Sequence, residues 1–101
     1  MKQELCKLAD IPASGTLLVP FFGRELHVFR RGEQVRAVAN TCLHFGGPLS
    51  CDDQELVCAW HGARFSLDSG KRVSGPSPKN SRLMTISTRV EGDALFYVWE
   101  E

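Results

Sequence analysis

Cys42-x-His44 and, across a thirteen-residue gap, Cys58-x-x-His61 are two Cys/His pairs, each set in a glycine-containing stretch. Two thiolates and two imidazoles suit either one tetrahedral zinc or a 2Fe-2S cluster with cysteine on one iron and histidine on the other. Donor type alone leaves both open. Spacing argues against zinc, because Cys₂His₂ zinc modules usually pair like ligands and draw the histidines from a helix, whereas here each stretch supplies one of each. Cys6, Cys51 and His27 have no such neighbour. Cys6 reads as a small buried hydrophobe, Cys51 as a free loop thiol and His27 as a structural or surface histidine of a strand.

Short extended segments must position these side chains. Glycine and proline recur so often that no stretch longer than thirteen residues lacks both, which leaves little room for a helix and predicts a mostly β chain. Alternation in Met84-Thr-Ile-Ser-Thr-Arg-Val90 predicts one strand, and Glu91-Gly-Asp93 turns it into Leu95-Phe-Tyr-Val-Trp99, a C-terminal hairpin. Glu25–Phe29 and Val35–Ala39 flank Arg31-Gly-Glu33, with Thr16–Val19 before them, which predicts a small antiparallel meander. Met84, Phe96, Val98 and Trp99 are core candidates. No repeat, low-complexity run or linker divides the chain. The expectation is one domain over residues 1–101, with a ligand-bearing subdomain at about 41–67 inserted between strands.

Composition narrows the function. With 101 residues, 43% of them hydrophobic, the chain can fill one core and not two. Twelve basic side chains offset twelve acidic ones, so no global field draws nucleic acid or an anionic membrane. No apolar run is long enough for a signal segment or a membrane span, which predicts a soluble chain in the cytoplasm, where thiols stay reduced. The sequence shows no nucleophile with its base, no acid–base pair and no two-His, one-carboxylate iron site, so it points away from an enzyme.

Cys42-Leu-His44-Phe-Gly-Gly-Pro-Leu-Ser50 and Cys58-Ala-Trp-His61-Gly-Ala-Arg-Phe65-Ser-Leu-Asp-Ser-Gly70 together resemble the two ligand boxes of Rieske iron-sulfur proteins. The likeness extends past the ligands: glycine follows the second histidine, an aromatic lies three residues beyond it, and an Asp-x-Gly turn comes next. Gly75-Pro-Ser-Pro78 is similar to the family's proline-rich loop over the cluster. The gap from His44 to Cys58 is a few residues shorter than in many members. Covering roughly the whole chain, the resemblance implies an all-β, Rieske-like fold of small antiparallel sheets with a cluster-binding subdomain of two loops. It further implies one 2Fe-2S cluster, with Cys42 and Cys58 on the inner iron and His44 and His61 on the outer one. Electrons would leave through the exposed imidazole edges.

The same resemblance places the potential. Two ferric ions, two sulfides and two thiolates sum to a neutral oxidised cluster, which lifts such centres to about −150 to +300 mV against about −400 mV for plant-type clusters. High-potential members carry Ser and Tyr where this chain has Ala63 and Phe65, and extra cysteines where it has Gly47 and Trp60. Fewer hydrogen bonds to sulfur then imply a low potential, falling with pH only well above neutrality. The implied role is a monomeric ferredoxin passing single electrons from a flavin-dependent or iron-sulfur reductase to a terminal oxygenase. A Rieske-type small subunit of a larger redox enzyme such as nitrite reductase is the alternative, and a zinc-stabilised interaction module comes third. Asp52, Asp53 and Glu55, with Arg64, Lys79 and Arg82, are candidates for orienting a partner, and Trp60 for shielding the cluster or supporting its loop from the core.

Overall fold

The structure is a computed structural model, described over residues 1–40, 48–52, 54–60, 62–67, 69–75 and 82–99. Eleven strands and one short 3₁₀ turn, Leu8–Asp10, make up the described chain: β1 (Lys2–Lys7), β2 (Leu17–Phe21), β3 (Arg24–Arg31), β4 (Gln34–Ala39), β5 (Leu49–Asp52), β6 (Glu55–Cys58), β7 (Arg64–Ser66), β8 (Arg72–Ser74), β9 (Thr85–Ile86), β10 (Thr88–Glu91) and β11 (Ala94–Val98). They form three antiparallel sheets, ordered β1-β11-β10, β2-β3-β4-β9 and β5-β6-β7-β8. The expected all-β architecture of small antiparallel sheets is the one observed.

Two compact units share the chain, one of Met1–Ala39 with Thr85–Glu101 and the other of Asn40–Met84. In the first, Ile11, Val19, Leu26, Val28, Ala37 and Leu95 form a core between strand faces, drawn from every second residue of β3 as the period of a strand requires. His27 and Phe29, on the opposite face of β3, are also buried, at 3% and 2% exposed. The His27 Nδ1 lies 2.7 Å from the Thr16 hydroxyl, so this histidine is structural. Between β2 and β3 a two-residue turn, Phe22-Gly23, has positive φ at both positions, 49° and 81°. That is the geometry whose twist matches a tight hairpin, although a phenylalanine takes it only under strain.

The predicted meander is present as β2-β3-β4, and the C-terminal hairpin as β10-β11. The run Met84–Val90 departs from the prediction, because it is two strands in two sheets. Thr85 and Ile86 pair with Val38 and Ala37 of β4, while Thr88–Glu91 pairs with β11, so the chain changes sheets at Ser87. Period-2 alternation is the same in either sheet and carries no mark of the switch. The core assignment shifts accordingly. Met84 is 48% exposed, Phe96, Val98 and Trp99 are half-buried, and Ala94 and Leu95 fill the core instead. Strand β1 has no clear sequence signal, since Lys-Gln-Glu-Leu-Cys-Lys is mostly polar with no β-branched or aromatic residue, yet it pairs with β11 along its length. Cys6 there is half-buried against the core, and burial, then Asp10 and Glu4, push its thiol pKa up.

The β1-β11-β10 sheet is tied by a charge pair. Lys2 Nζ lies 2.5 Å from Glu91 and 4.9 Å from the Phe96 ring centre, and its hydrogen bond holds the Glu91 carboxyl below its ordinary pKa of 4.5. A carboxyl depressed on folding stabilises the protein above the unfolded pKa and ceases to do so as pH falls through the folded one. Glu91→Gln should therefore lower the urea midpoint slightly at pH 7, with the difference from the native chain closing as pH falls below 4.5. Parallel urea titrations across that range test this, and a gap that widens in acid rejects it.

In the second unit the stretch expected as inserted ligand loops contains a four-stranded sheet of its own, β5-β6-β7-β8. Leu49 faces Cys58 and Leu56 faces Phe65 in register. With Ala63, Leu67 and Leu83 these residues are all buried, giving the sheet one apolar side. On the polar side Arg64 donates to Glu55 at 2.6 Å and to Asp52. Cys51, expected in a loop, lies exposed in β5.

Candidate metal centre

Antiparallel order brings the ligand-bearing stretches to one place. The chain enters β5 at Leu49, leaves β6 at Cys58, enters β7 at Arg64 and leaves β8 at Ser74, with Leu49 opposite Cys58 and Arg64 opposite Ser74. All four points lie at the same end of the sheet. There the backbone is fixed by hydrogen bonds. The Asn40 side-chain oxygen accepts the Leu49 amide at 2.8 Å, clamping the two ends of the stretch that holds Cys42 and His44. The Pro48 carbonyl accepts the Ala59 amide at 2.9 Å and so links the two ligand stretches. Within the second, the Cys58 amide donates to the Ala63 carbonyl at 2.8 Å and the Gly62 amide to the Cys58 carbonyl at 2.9 Å, closing a six-residue turn.

Of the four expected ligands, the described residues place Cys58, which is 1% exposed and in no disulfide. Cys42, His44 and His61 lie outside the described residues, as do Gly47, Asp53, Lys79 and residues 76–78 of the proline-rich segment. A buried thiol at the end of a hydrogen-bonded turn, held at the point where the stretches converge, suits a metal-bound thiolate. The donor set of the two stretches, mixed thiolate and imidazole, fits an iron-sulfur cluster equally well. Next to Cys58 the wall is apolar, with Ala63 fully buried and Phe65 2% exposed.

Trp60 is 63% exposed, which excludes the core-aromatic role and leaves its indole on the surface of the turn between Cys58 and His61. Arg64 engages Glu55 and Asp52 across the sheet, the hydrogen bonds to Glu55 and then Asp52 raise its pKa, and the Asp52 side chain stays exposed. Arg82 is exposed, and its backbone pairs with that of Lys71 in an isolated antiparallel bridge.

Two further contacts were not foreseen, one of Asn40 and one of Gly75, which opens the proline-rich segment. The Asn40 clamp has a faint signal, an amide just ahead of a loop with glycines, where such side chains often bond to nearby backbone. Gly75 has a clearer one, glycine before proline. Its φ is +102°, and a Cβ there would stand 2.5 Å from the Ala63 Cα and 3.1 Å from the Gly62 carbonyl oxygen. The strand after the turn and the segment after β8 are thus in backbone contact.

Comparison with known proteins agrees with this geometry. Residues 1–90 match the model of the Rieske [2Fe-2S] domain. The ferredoxin component of a naphthalene 1,2-dioxygenase system from Pseudomonas aeruginosa is 27% identical over 91 residues, 87% of this chain and 86% of the relative. Among solved structures, a ferredoxin of Sphingomonas yanoikuyae B1 superposes with a TM-score of 0.77 at 19% identity, over 99% of this chain and 100% of that one. A plasma membrane Rieske protein of Synechocystis PCC 6803 superposes with a TM-score of 0.78 at 28% identity, over 96% and 99%. The chain belongs to the Rieske [2Fe-2S] domain family and is a Rieske-type ferredoxin, an electron carrier and not a catalytic oxygenase.

Proposed function

We propose that this chain, a single Rieske domain, binds one 2Fe-2S cluster through Cys42, His44, Cys58 and His61. It passes single electrons from a flavin-dependent or iron-sulfur reductase to a terminal oxygenase, as a monomer in the cytoplasm. The observation that carries the reading is the buried Cys58 thiol at the end of the sheet where the ligand stretches converge. The likeness to an oxygenase ferredoxin over most of both chains supports the choice of partner.

Such a cluster supplies a one-electron donor and acceptor with a potential in the range of about −150 to +300 mV. The chain's own residues decide the rest. Cys58 supplies a thiolate; Ala63 and Phe65 shield it from water without offering an O–H to sulfur, which favours the low end of that range. Trp60 offers an exposed indole beside the expected histidine ligand, and an aromatic in that position anchors a transient contact well. Ala63→Ser should raise the midpoint potential, and it should do so without the ~1–3 kcal/mol loss that an unsatisfied buried hydroxyl would bring. Redox titration beside a urea melt separates the outcomes: an unchanged potential with lost stability rejects the apolar-wall argument.

Iron, sulfide and zinc assays on the purified protein, with low-temperature EPR after dithionite reduction, test the central reading. Equimolar iron and sulfide with a low average g value support the cluster, and zinc without colour overturns it. Reduction by a ferredoxin reductase and reoxidation by an oxygenase then test the role.

One observation favours a second reading, the small subunit of a larger redox enzyme. Phe22, 70% exposed, sits 4.7 Å from Phe21 and 6.3 Å from Tyr97, and Tyr97 stacks on Trp99 at 4.9 Å. An exposed aromatic group of this kind is common where a protein meets a lasting partner. Copurification of a stoichiometric second chain at native expression would favour this reading.

A further inference from the structure

We draw no further inference here: the strongest candidate, the aromatic surface patch that Phe21 and Phe22 of the β2-β3 hairpin form with Tyr97 and Trp99 of the C-terminal strand region, carries nothing because it is an apolar face and nothing in the structure shows what covers it.

Discussion

Cys58→Ser should purify without visible colour and with less than about a tenth of the native iron and sulfide, because a serine hydroxyl at neutral pH is neither ionised nor soft enough to replace a thiolate. The prediction is specific to this cysteine. Cys51 is exposed in β5, and Cys6 lies in the other unit with its pKa raised by burial, so Cys51→Ser and Cys6→Ser should keep the full cluster content. A buried hydroxyl carries its own penalty of about 1–3 kcal/mol where it finds no partner, so loss of metal in Cys58→Ser must be separated from loss of fold. Cys58→Ala settles that point, since it removes the thiol and adds no polar atom. Far-ultraviolet circular dichroism with iron and sulfide assays on all four variants gives the answer. A coloured Cys58→Ala protein with native iron content would remove Cys58 from the site, whereas a β spectrum without iron would confirm its role.

The candidate ligands were legible because metal ligation constrains residue type and spacing directly, and of the four the structure describes Cys58. Cys42, His44, Cys58 and His61 carry their meaning in one dimension, and so do the glycine after the second histidine and the Asp-x-Gly turn. What supports them is less legible. Asn40 reaches Leu49 across nine positions, and Arg72 reaches Gly75 across a strand end; each is one polar residue among many until the chain is folded. The strand β1 was hidden because pairing through backbone groups needs no apolar side chain, and a strand half exposed can be built from Lys, Gln and Glu.

The aromatic group illustrates a different limit. No apolar run marks it, because Phe21 and Phe22 come from the β2-β3 hairpin and Tyr97 and Trp99 from the C-terminal strand region. A surface assembled from distant segments leaves no local pattern. The same holds for the acidic residues: Asp52 and Glu55 look like a charged loop in sequence, and Arg64, on β7, pairs with both only once β5, β6 and β7 lie side by side.

Gly75→Ala should be the most damaging glycine-to-alanine change among the described residues. Two penalties fall on the same carbon. At φ +102° an L side chain is strained, at a cost of about 1–3 kcal/mol. The new methyl would also stand 2.5 Å from the Ala63 Cα, which is backbone and cannot rotate aside. Overpacking against a fixed neighbour costs about 1–3 kcal/mol more, so the sum is about 2–6 kcal/mol. Relief requires the segment after β8 to move off the Cys58–Ala63 turn, and that displacement would also expose the cluster wall. Stability and cluster retention should therefore fall together. Gly70→Ala isolates the two causes, since Gly70 has φ +75° with nothing within 4 Å of an added Cβ. That variant should bear the conformational strain alone and keep its cluster. Urea melts and chelator release on the pair decide the matter: if Gly75→Ala loses no more than Gly70→Ala, the contact with Ala63 does not hold the turn in place.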